Sequence, residues 1–191
     1  MKVSLGAETL AAPTPAWLVG TYDAAGRPNI MTIAWGGICC SKPPCLAVSL
    51  RAATYSHAAI MARRAFTVSI PSASQVAVTD HAGMVSGKNE DKFAALGLTP
   101  VKSDLVDAPY VAECPLVVEC AVVHVHELGL HTQFVGEIKD VKADPAILDE
   151  KGRIDANKAQ FFAFIPGARR YVALGRDIGA AFSIGKTAVG G

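Results

Sequence analysis

The alternation of apolar and polar positions predicts a chain built mainly from short β-strands. An apolar run at Trp17–Tyr22 and a second at residues 29–35 flank the turn signal at residues 23–26, and together they predict a hairpin with a longer loop. Two longer runs, at residues 116–126 and 130–141, predict a second hairpin. Both hairpins point to antiparallel pairing.

The remaining segments add further strands and a few helices. Further strands are predicted at residues 45–50, 66–70, 161–165 and 169–174. Helices are predicted at residues 53–64, 72–84 and 89–96. Extended loops are predicted at residues 41–44, which hold two prolines, and at residues 100–109. About six short strands with few helices favour a mostly β fold, a closed or half-closed antiparallel barrel.

Composition supports one domain over residues 1–191, with a C-terminal extension from about residue 167. Hydrophobic residues make up 51% of the chain and charged residues 18%, which is less charge than a typical soluble domain carries. Such a chain has apolar surface left over once a single core is filled. That surplus predicts a subunit interface, in the simplest case a homodimer, although a wide ligand cleft would also use it.

Charge and hydropathy exclude two classes of partner. A net charge of +1 and an isoelectric point near 7.7 provide no field for attracting nucleic acid. The longest weakly charged stretch, residues 28–41, is too short to span a membrane, and acidic and proline residues interrupt the N-terminus where a signal-peptide core would lie. We therefore expect a cytoplasmic protein.

The cysteines and histidines predict neither a disulfide framework nor a metal site. The five cysteines lack a C-x-x-C pair, and the adjacent Cys39 and Cys40 are expected on opposite faces of a strand. They are expected to be free thiols. His124 and His126 share one face of a predicted strand, but no third ligand stands at a useful spacing.

Residues 51–57 carry the pattern of an anion site. Thr54 is a suitable N-cap, so the amides of Tyr55, Ser56 and His57 are expected to be open at a helix start and able to bind phosphate oxygens. Arg51 adds charge, and the Ser56 hydroxyl adds a donor. The alternative is an ordinary capped helix with a solvated arginine.

Two lysines form a second candidate phosphate contact. Lys88 and Lys92 lie four residues apart around a predicted helix start at Asn89, so both ammonium groups could face one side. The alternative is a solvated lysine face paired with Glu90 and Asp91.

Several motifs together resemble one known family. They are PAWLVGTYDAAGRPN (15–29), TIAW (32–35), SKPP (41–44), VSLR (48–51) followed by Tyr55 and Ser56, SGK (86–88) with DKF (91–93), HTQFVGE (131–137) and YVALGRDIGAAFSIGK (171–186). In this order they resemble the flavin-reductase-like, FMN-binding split-barrel family, and within it the flavoredoxin branch. The resemblance implies a six-stranded antiparallel split β-barrel that holds FMN at a homodimer interface.

The resemblance also implies a set of site residues. Thr32, Ala34 and Trp35 would lie along the isoalloxazine ring, although a lone tryptophan is often a core residue. His131 would be the catalytic residue, lying near the flavin or a nicotinamide and donating a hydrogen bond or relaying a proton. The complete cofactor-binding set is Asn29, Thr32, Ala34, Trp35, Cys40, Ser41, Ser49, Leu50, Arg51, Tyr55, Ser56, Ser86, Lys88 and Lys92.

Two functional classes follow from the resemblance. The first is an electron carrier of flavoredoxin type, whose tightly bound FMN exchanges electrons with a redox partner protein. The second is an NAD(P)H-dependent flavin or ferric reductase that transfers hydride to flavin N5. A third possibility is a dimeric scaffold without flavin. The chain contains neither a G-x-G-x-x-G motif nor a P-loop, so a nicotinamide would have to bind in the open cleft over the flavin.

Overall fold

A computed structural model describes residues 1–188 and, within them, every side chain except that of Thr187. The strands are β1 Trp17–Tyr22, β2 Pro28–Ile33, β3 Gly36–Ser41, β4 Pro44–Arg51, β5 Ala65–Ile70, β6 Pro100–Lys102, β7 Pro109–Val111, β8 Leu116–Leu128, β9 His131–Ala143, β10 Phe162–Ile165 and β11 Arg170–Ala173. The helices are α1 Tyr55–Arg63, α2 Val76–Met84, α3 Lys92–Leu96 and α4 Ala156–Ala159, with 3₁₀ turns at Ala73–Gln75, Pro145–Ile147 and Ile184–Ala188. Among the described residues, no helix is long and apolar enough to cross a membrane.

Seven strands form one antiparallel sheet in the order β2-β1-β5-β8-β9-β4-β3. The two edge strands, β2 and β3, are consecutive in the chain and are joined by Ala34 and Trp35. At this junction the amide of Ser49 on β4 donates to the carbonyl of Trp35 at 2.8 Å. β2 and β3 stand at opposite ends of the strand order, as in an open sheet. The sheet curves, however, and brings these two edge strands close together where Ala34 and Trp35 join them.

The side chain of Asp23 and the backbone of Gly26 shape the turn of the β1–β2 hairpin. Both Asp23 carboxylate oxygens are used: Oδ1 accepts the amides of Ala25 and Arg27, and Oδ2 accepts Arg27 Nε. Gly26 adopts a positive φ of 78°, which the turn requires and which a residue without a Cβ adopts at little cost. The hairpin register then pairs Trp17 with Ile33 at the far end.

The curved sheet encloses the main core. Alternate residues of the strands point inward, and they include Val19, Leu46, Val48, Leu50, Phe66, Val118 and Phe134. A second apolar cluster lies outside the sheet, where Leu18 and Ile30 pack on Ala82 of α2 and Phe93 of α3. Strand β2 is thus covered on one face by the core and on the other by α2 and α3, and this position makes it one wall of a cleft.

The structure confirms the mostly β class and changes some of its parts. The main sheet has seven strands rather than the six expected, because the glycine-led segment Gly36–Ser41 is a strand. It forms a tight hairpin with Pro44–Arg51, so the prolines stand in a turn and at a strand start instead of an extended loop. The predicted loop at residues 100–109 contributes strand β6 and the first residue of β7, which pair in a small separate sheet.

Helix α3 begins three residues later than predicted. The side chain of Asp91 accepts the amide of Ala94 at 3.2 Å, which makes Asp91 the N-cap and Lys92 the first helical residue. Lys88 therefore precedes the helix, and the geometry of residues four apart on one helix face does not apply to Lys88 and Lys92.

A β-bulge interrupts the β3–β4 hairpin. The register shifts between Ile38, which opposes Leu46, and Cys40, which opposes Cys45. Cys39 is the extra residue, so two residues of β3 face a single residue of β4. The bulge breaks the period of two on which the prediction of opposite faces for Cys39 and Cys40 depends.

Candidate functional site

Three neighbouring cavities form a cleft along β2. The first, of about 160 Å³, lies beside the β1–β2 turn; the second, of about 240 Å³, lies at the start of α1; the third, of about 250 Å³, lies beyond Thr32. The first and second share Asn29, Tyr55 and Gly87. The second and third share Gly83 and Met84. The three cavities are therefore neighbours along β2, and together they are called the cleft.

The second cavity is built around the first turn of α1. Thr54 is the N-cap residue, but its hydroxyl donates to the carbonyl of Arg51 at 2.8 Å and does not cap the helix. The amide of His57 donates to the carbonyl of Thr54 at 3.1 Å, so the expectation that this amide is open is wrong. The positive end of α1, at Tyr55 and Ser56, faces the cavity without a capping side chain.

A buried contact fixes the wall between the first and second cavities. The side-chain amide of Asn29 donates to the hydroxyl of Ser56 at 2.9 Å, which ties β2 to α1. Gly87 lies against this pair so closely that a Cβ built there would stand 2.0 Å from Asn29 Oδ1. Only glycine fits at this position without displacing Asn29.

Lys92 places a buried ammonium group beside the second cavity. Its side chain is 3% exposed, and Nζ donates to the carbonyls of Ile30 at 2.8 Å and Ala82 at 2.7 Å. Burial lowers the pKa of this ammonium to about 8, against the opposing effect of the Glu90 charge. Lys92 therefore joins β2 to α2. An ammonium group has three N–H donors, so one donor remains beyond these two bonds.

The first cavity contains an ion-pair network that the sequence analysis missed. Asp23 Oδ2 accepts both Arg27 Nε and the Tyr55 hydroxyl, each at 2.8 Å. Burial acts to raise the pKa of Asp23, but hydrogen bonds from Arg27, Tyr55 and Ala25 outweigh it and lower the pKa to about 2. The sequence signal for this network is the spacing of Asp23 and Arg27, which stand four residues apart on either side of the turn.

The three cavities differ in charge. The first is lined by Asp23, Glu90 and Asp91 together with Arg27 and Lys88. The second has Lys92 and the start of α1, and the part of its wall that the structure describes includes no carboxylate. The second cavity is therefore the better anion site of the two, and Lys88 belongs to the cavity that already holds three acidic groups.

The third cavity is lined by aromatic and small residues. Thr32, Ala34 and Met84 line it together with Phe164 and Tyr171, whose ring centroids are 5.5 Å apart. The hydroxyl of Thr32 donates to the carbonyl of Thr79, which holds β2 against α2. This wall of the cleft suits a flat apolar group with polar edges.

A hydrogen bond joins two residues that line the third cavity. The Tyr171 hydroxyl donates to Asp80 Oδ1 at 2.8 Å, and burial together with this carboxylate raises the pKa of Tyr171 to about 12. Tyr171 belongs to the predicted C-terminal extension, of which residues 189–191 lie outside the described residues. The sequence offered no signal for this contact, because 91 residues separate its partners.

The structure brings eight of the fourteen predicted cofactor residues into this cleft. They are Asn29, Thr32, Ala34, Tyr55, Ser56, Ser86, Lys88 and Lys92. The walls of the three cavities do not include the other six or the predicted catalytic residue, which are Trp35, Cys40, Ser41, Ser49, Leu50, Arg51 and His131.

For five of these seven residues the structure gives a position outside the walls of the three cavities. The Leu50 side chain points into the main core and is 1% exposed. Arg51 and His131 oppose each other at the ends of β4 and β9. Cys40 and Ser41 are exposed at the far end of β3.

The histidine pair on β8 is exposed. The rings of His124 and His126 stack with centroids 6.0 Å apart. Among the described residues, no group of three or more histidine, cysteine or acidic side chains is placed to hold a metal ion.

Comparison with known proteins identifies the family of the chain. The model of the flavin reductase-like domain matches residues 10–159, which is most of the chain. The chain belongs to the flavin reductase-like domain family. A relative from Archaeoglobus fulgidus, whose function is uncharacterized, is 36% identical over 129 residues, 68% of this chain and 73% of the relative.

Solved structures of flavin reductase-like proteins have the same fold. The flavoredoxin of Desulfovibrio vulgaris (Miyazaki F) is 56% identical, with a TM-score of 0.93, and the match covers 97% of this chain and 100% of that protein. A flavoredoxin from Methanosarcina acetivorans is 28% identical, with a TM-score of 0.87 and 98% of each chain covered. The resemblance found in the sequence is confirmed, and these matches support a flavin as the cofactor of this redox protein.

Proposed function

We propose that this protein binds FMN in the β2 cleft and carries electrons through it, as a protein of flavoredoxin type. The observation that carries the proposal is the order of the second and third cavities. An uncapped helix start and a buried ammonium group lie at one end, and a slot of small and aromatic residues lies at the other. A flavin mononucleotide has the same order, because its phosphate and its ring lie at opposite ends.

The residues of the second cavity would hold the phosphate. The first amides of α1 and the Ser86 hydroxyl supply donors, and Lys92 supplies positive charge. Gly83 and Gly87 line the opposite wall and, because they have no side chains, leave space in the cavity. Thr32 and Ala34 would lie along the ring in the third cavity. Bound FMN would accept and release electrons, while the protein binds, orients and shields it.

We also propose that the protein works as a homodimer. Ile178 and Phe182 of the C-terminal segment are 87% and 103% exposed, which is unusual for large apolar side chains. A separate apolar cavity of about 400 Å³, lined by residues that include Trp17, Ile70 and Phe162, opens on the same molecule. Apolar surface of this extent supports burial against a second copy of the chain.

The choice of FMN is tested by comparing it with riboflavin, which lacks the phosphate. The two flavins are titrated into flavin-free protein and into Ser86→Ala. We expect the wild-type protein to prefer FMN, and a charge-assisted bond from Ser86 contributes about 1.5–3 kcal/mol to that preference. Ser86→Ala should weaken FMN binding and leave riboflavin binding unchanged. Equal affinity of the wild-type protein for both flavins would contradict binding of the phosphate in the second cavity.

The choice of an electron carrier is tested by an anaerobic visible spectrum of the FMN-loaded protein. A carrier should keep its oxidised spectrum with NADH or NADPH and lose its colour with dithionite or with a reduced iron–sulfur electron-transfer protein. Bleaching by NADH or NADPH within seconds would instead identify an NAD(P)H-dependent reductase, in which the nicotinamide reaches the flavin directly. The FMN should also remain with the carrier through gel filtration.

A further inference from the structure

The bulge in the β3–β4 hairpin brings three cysteines together. Cys40 is the direct partner of Cys45 in the register, and Cys39 is the extra residue that precedes Cys40. Leu46 and Val48 point into the main core, so Cys45 points to the outer face of the sheet. Cys39 and Cys40 are exposed and Cys45 is buried.

The spacing that is usual for opposed residues of antiparallel strands falls within the range that a disulfide requires. Directly opposed residues of antiparallel strands have Cα atoms about 4.5–5.5 Å apart. A disulfide joins Cα atoms about 4.4–6.8 Å apart. Burial and then the charges of Cys40 and Cys39 raise the pKa of the Cys45 thiol.

We propose that Cys40 and Cys45 are a reversible thiol–disulfide pair that is oxidised by low-molecular-weight disulfides. The exposed Cys40 thiolate attacks one sulfur of the small disulfide, forms a mixed disulfide and releases one small thiolate. Cys45 loses its proton to solvent and attacks the Cys40 sulfur, which releases the second small thiolate. Two protein thiols are oxidised and one small disulfide is reduced to two thiols after these thiolates take up protons.

The order of attack follows from exposure. Cys40 is exposed and Cys45 is 5% exposed with a raised pKa, so Cys40 is the attacking thiol and Cys45 the resolving thiol. The two other buried cysteines take no part. Burial raises the pKa values of Cys114 and Cys120 to about 12, so both thiols stay protonated.

The experiment uses the full-length FMN-loaded protein and oxidised glutathione. After oxidation the protein is denatured without reductant, its thiols are labelled with a maleimide, and the labels are counted by mass spectrometry. We expect two fewer labels than the five of the reduced protein, and a peptide that joins Cys40 to Cys45. Dithiothreitol should restore all the labels. An oxidised protein that keeps every label overturns the proposal.

Two single variants separate this bond from its neighbours. In Cys45→Ser the mixed disulfide on Cys40 has no resolving thiol, so one glutathione should remain attached. In Cys39→Ser the internal disulfide should form as in the wild type. An internal bond in Cys45→Ser would identify a Cys39–Cys40 pair and overturn the assignment, as would loss of the bond in Cys39→Ser.

Discussion

The buried Lys92 ammonium makes stability depend on pH in a way that a single substitution can isolate. In Lys92→Met an apolar side chain of similar length replaces the lysine. The variant loses two charge-assisted hydrogen bonds, to the carbonyls of Ile30 and Ala82, each contributing about 1.5–3 kcal/mol. It also no longer buries a charge. These two effects oppose each other at neutral pH.

The size of the burial effect follows from the pKa of Lys92. The ordinary value of 10.5 falls to about 8 in the folded protein. Between these two pH values the unfolded chain holds a proton that the folded protein has released, so wild-type stability rises with pH. With about 1.36 kcal/mol for each pKa unit, the gain from Lys92 between pH 7 and pH 10 is about 2.5 kcal/mol. Lys92→Met has no such gain.

The assay is urea unfolding of flavin-free protein at several pH values from 7 to 10, followed by tryptophan fluorescence. The free energy of unfolding of the wild type minus that of Lys92→Met should increase by about 2.5 kcal/mol across this range. Groups common to both proteins cancel in the difference. Lys88→Met is the matched control, because Lys88 is exposed and lies outside α3. A difference that stays constant with pH would refute the burial of a charged Lys92.

Two further substitutions test contacts in the cleft. In Gly87→Ala the new methyl group would displace Asn29 from Ser56. This should lower the free energy of unfolding, measured by thermal unfolding, by about 1–3 kcal/mol and should weaken FMN binding. Gly37→Ala is the control, because its methyl group meets open space and should change stability little. The low pKa of Asp23 means that its contribution to stability is present above about pH 4 and is lost as the pH falls towards 2. Asp23→Asn should therefore show a smaller loss of stability over that range in an acid titration followed by circular dichroism; an unchanged titration would contradict the hydrogen-bonded carboxylate.

The sequence was sufficient where local pattern decides the structure. The sequence predicts strands β8 and β9 because a long segment of alternating residues lies on each side of a turn that contains Gly129. The structure pairs these two strands as a hairpin. The β1–β2 loop was predicted from residues 23–26, and these residues form the turn. The pattern at residues 51–57 predicts Ser56 and the family resemblance implies Asn29, and both line the cleft.

The sequence was insufficient where tertiary contacts override local pattern. The two lysines were expected on one helix face, but Asp91 caps α3 and leaves Lys88 outside it. The sequence predicts Lys92 as a phosphate contact, with a solvated lysine as the alternative, but it does not indicate that a carbonyl 62 residues away in the chain binds the ammonium inside the protein. Nothing in the sequence around Tyr171 indicates its contact with Asp80, which lies 91 residues earlier in the chain. Such contacts depend on which segments the fold brings together.

The bulge at Cys39 also determines where this hairpin can change in length during evolution. Removing one residue elsewhere in β3 would turn the side chains beyond it to the opposite face of the sheet. Removing Cys39 would only restore a regular ladder, because Ile38 and Cys40 already oppose consecutive residues of β4. Natural relatives that lack one residue here would keep the same core, so an alignment gap at position 39 would mark a change in strand pairing and no change of fold.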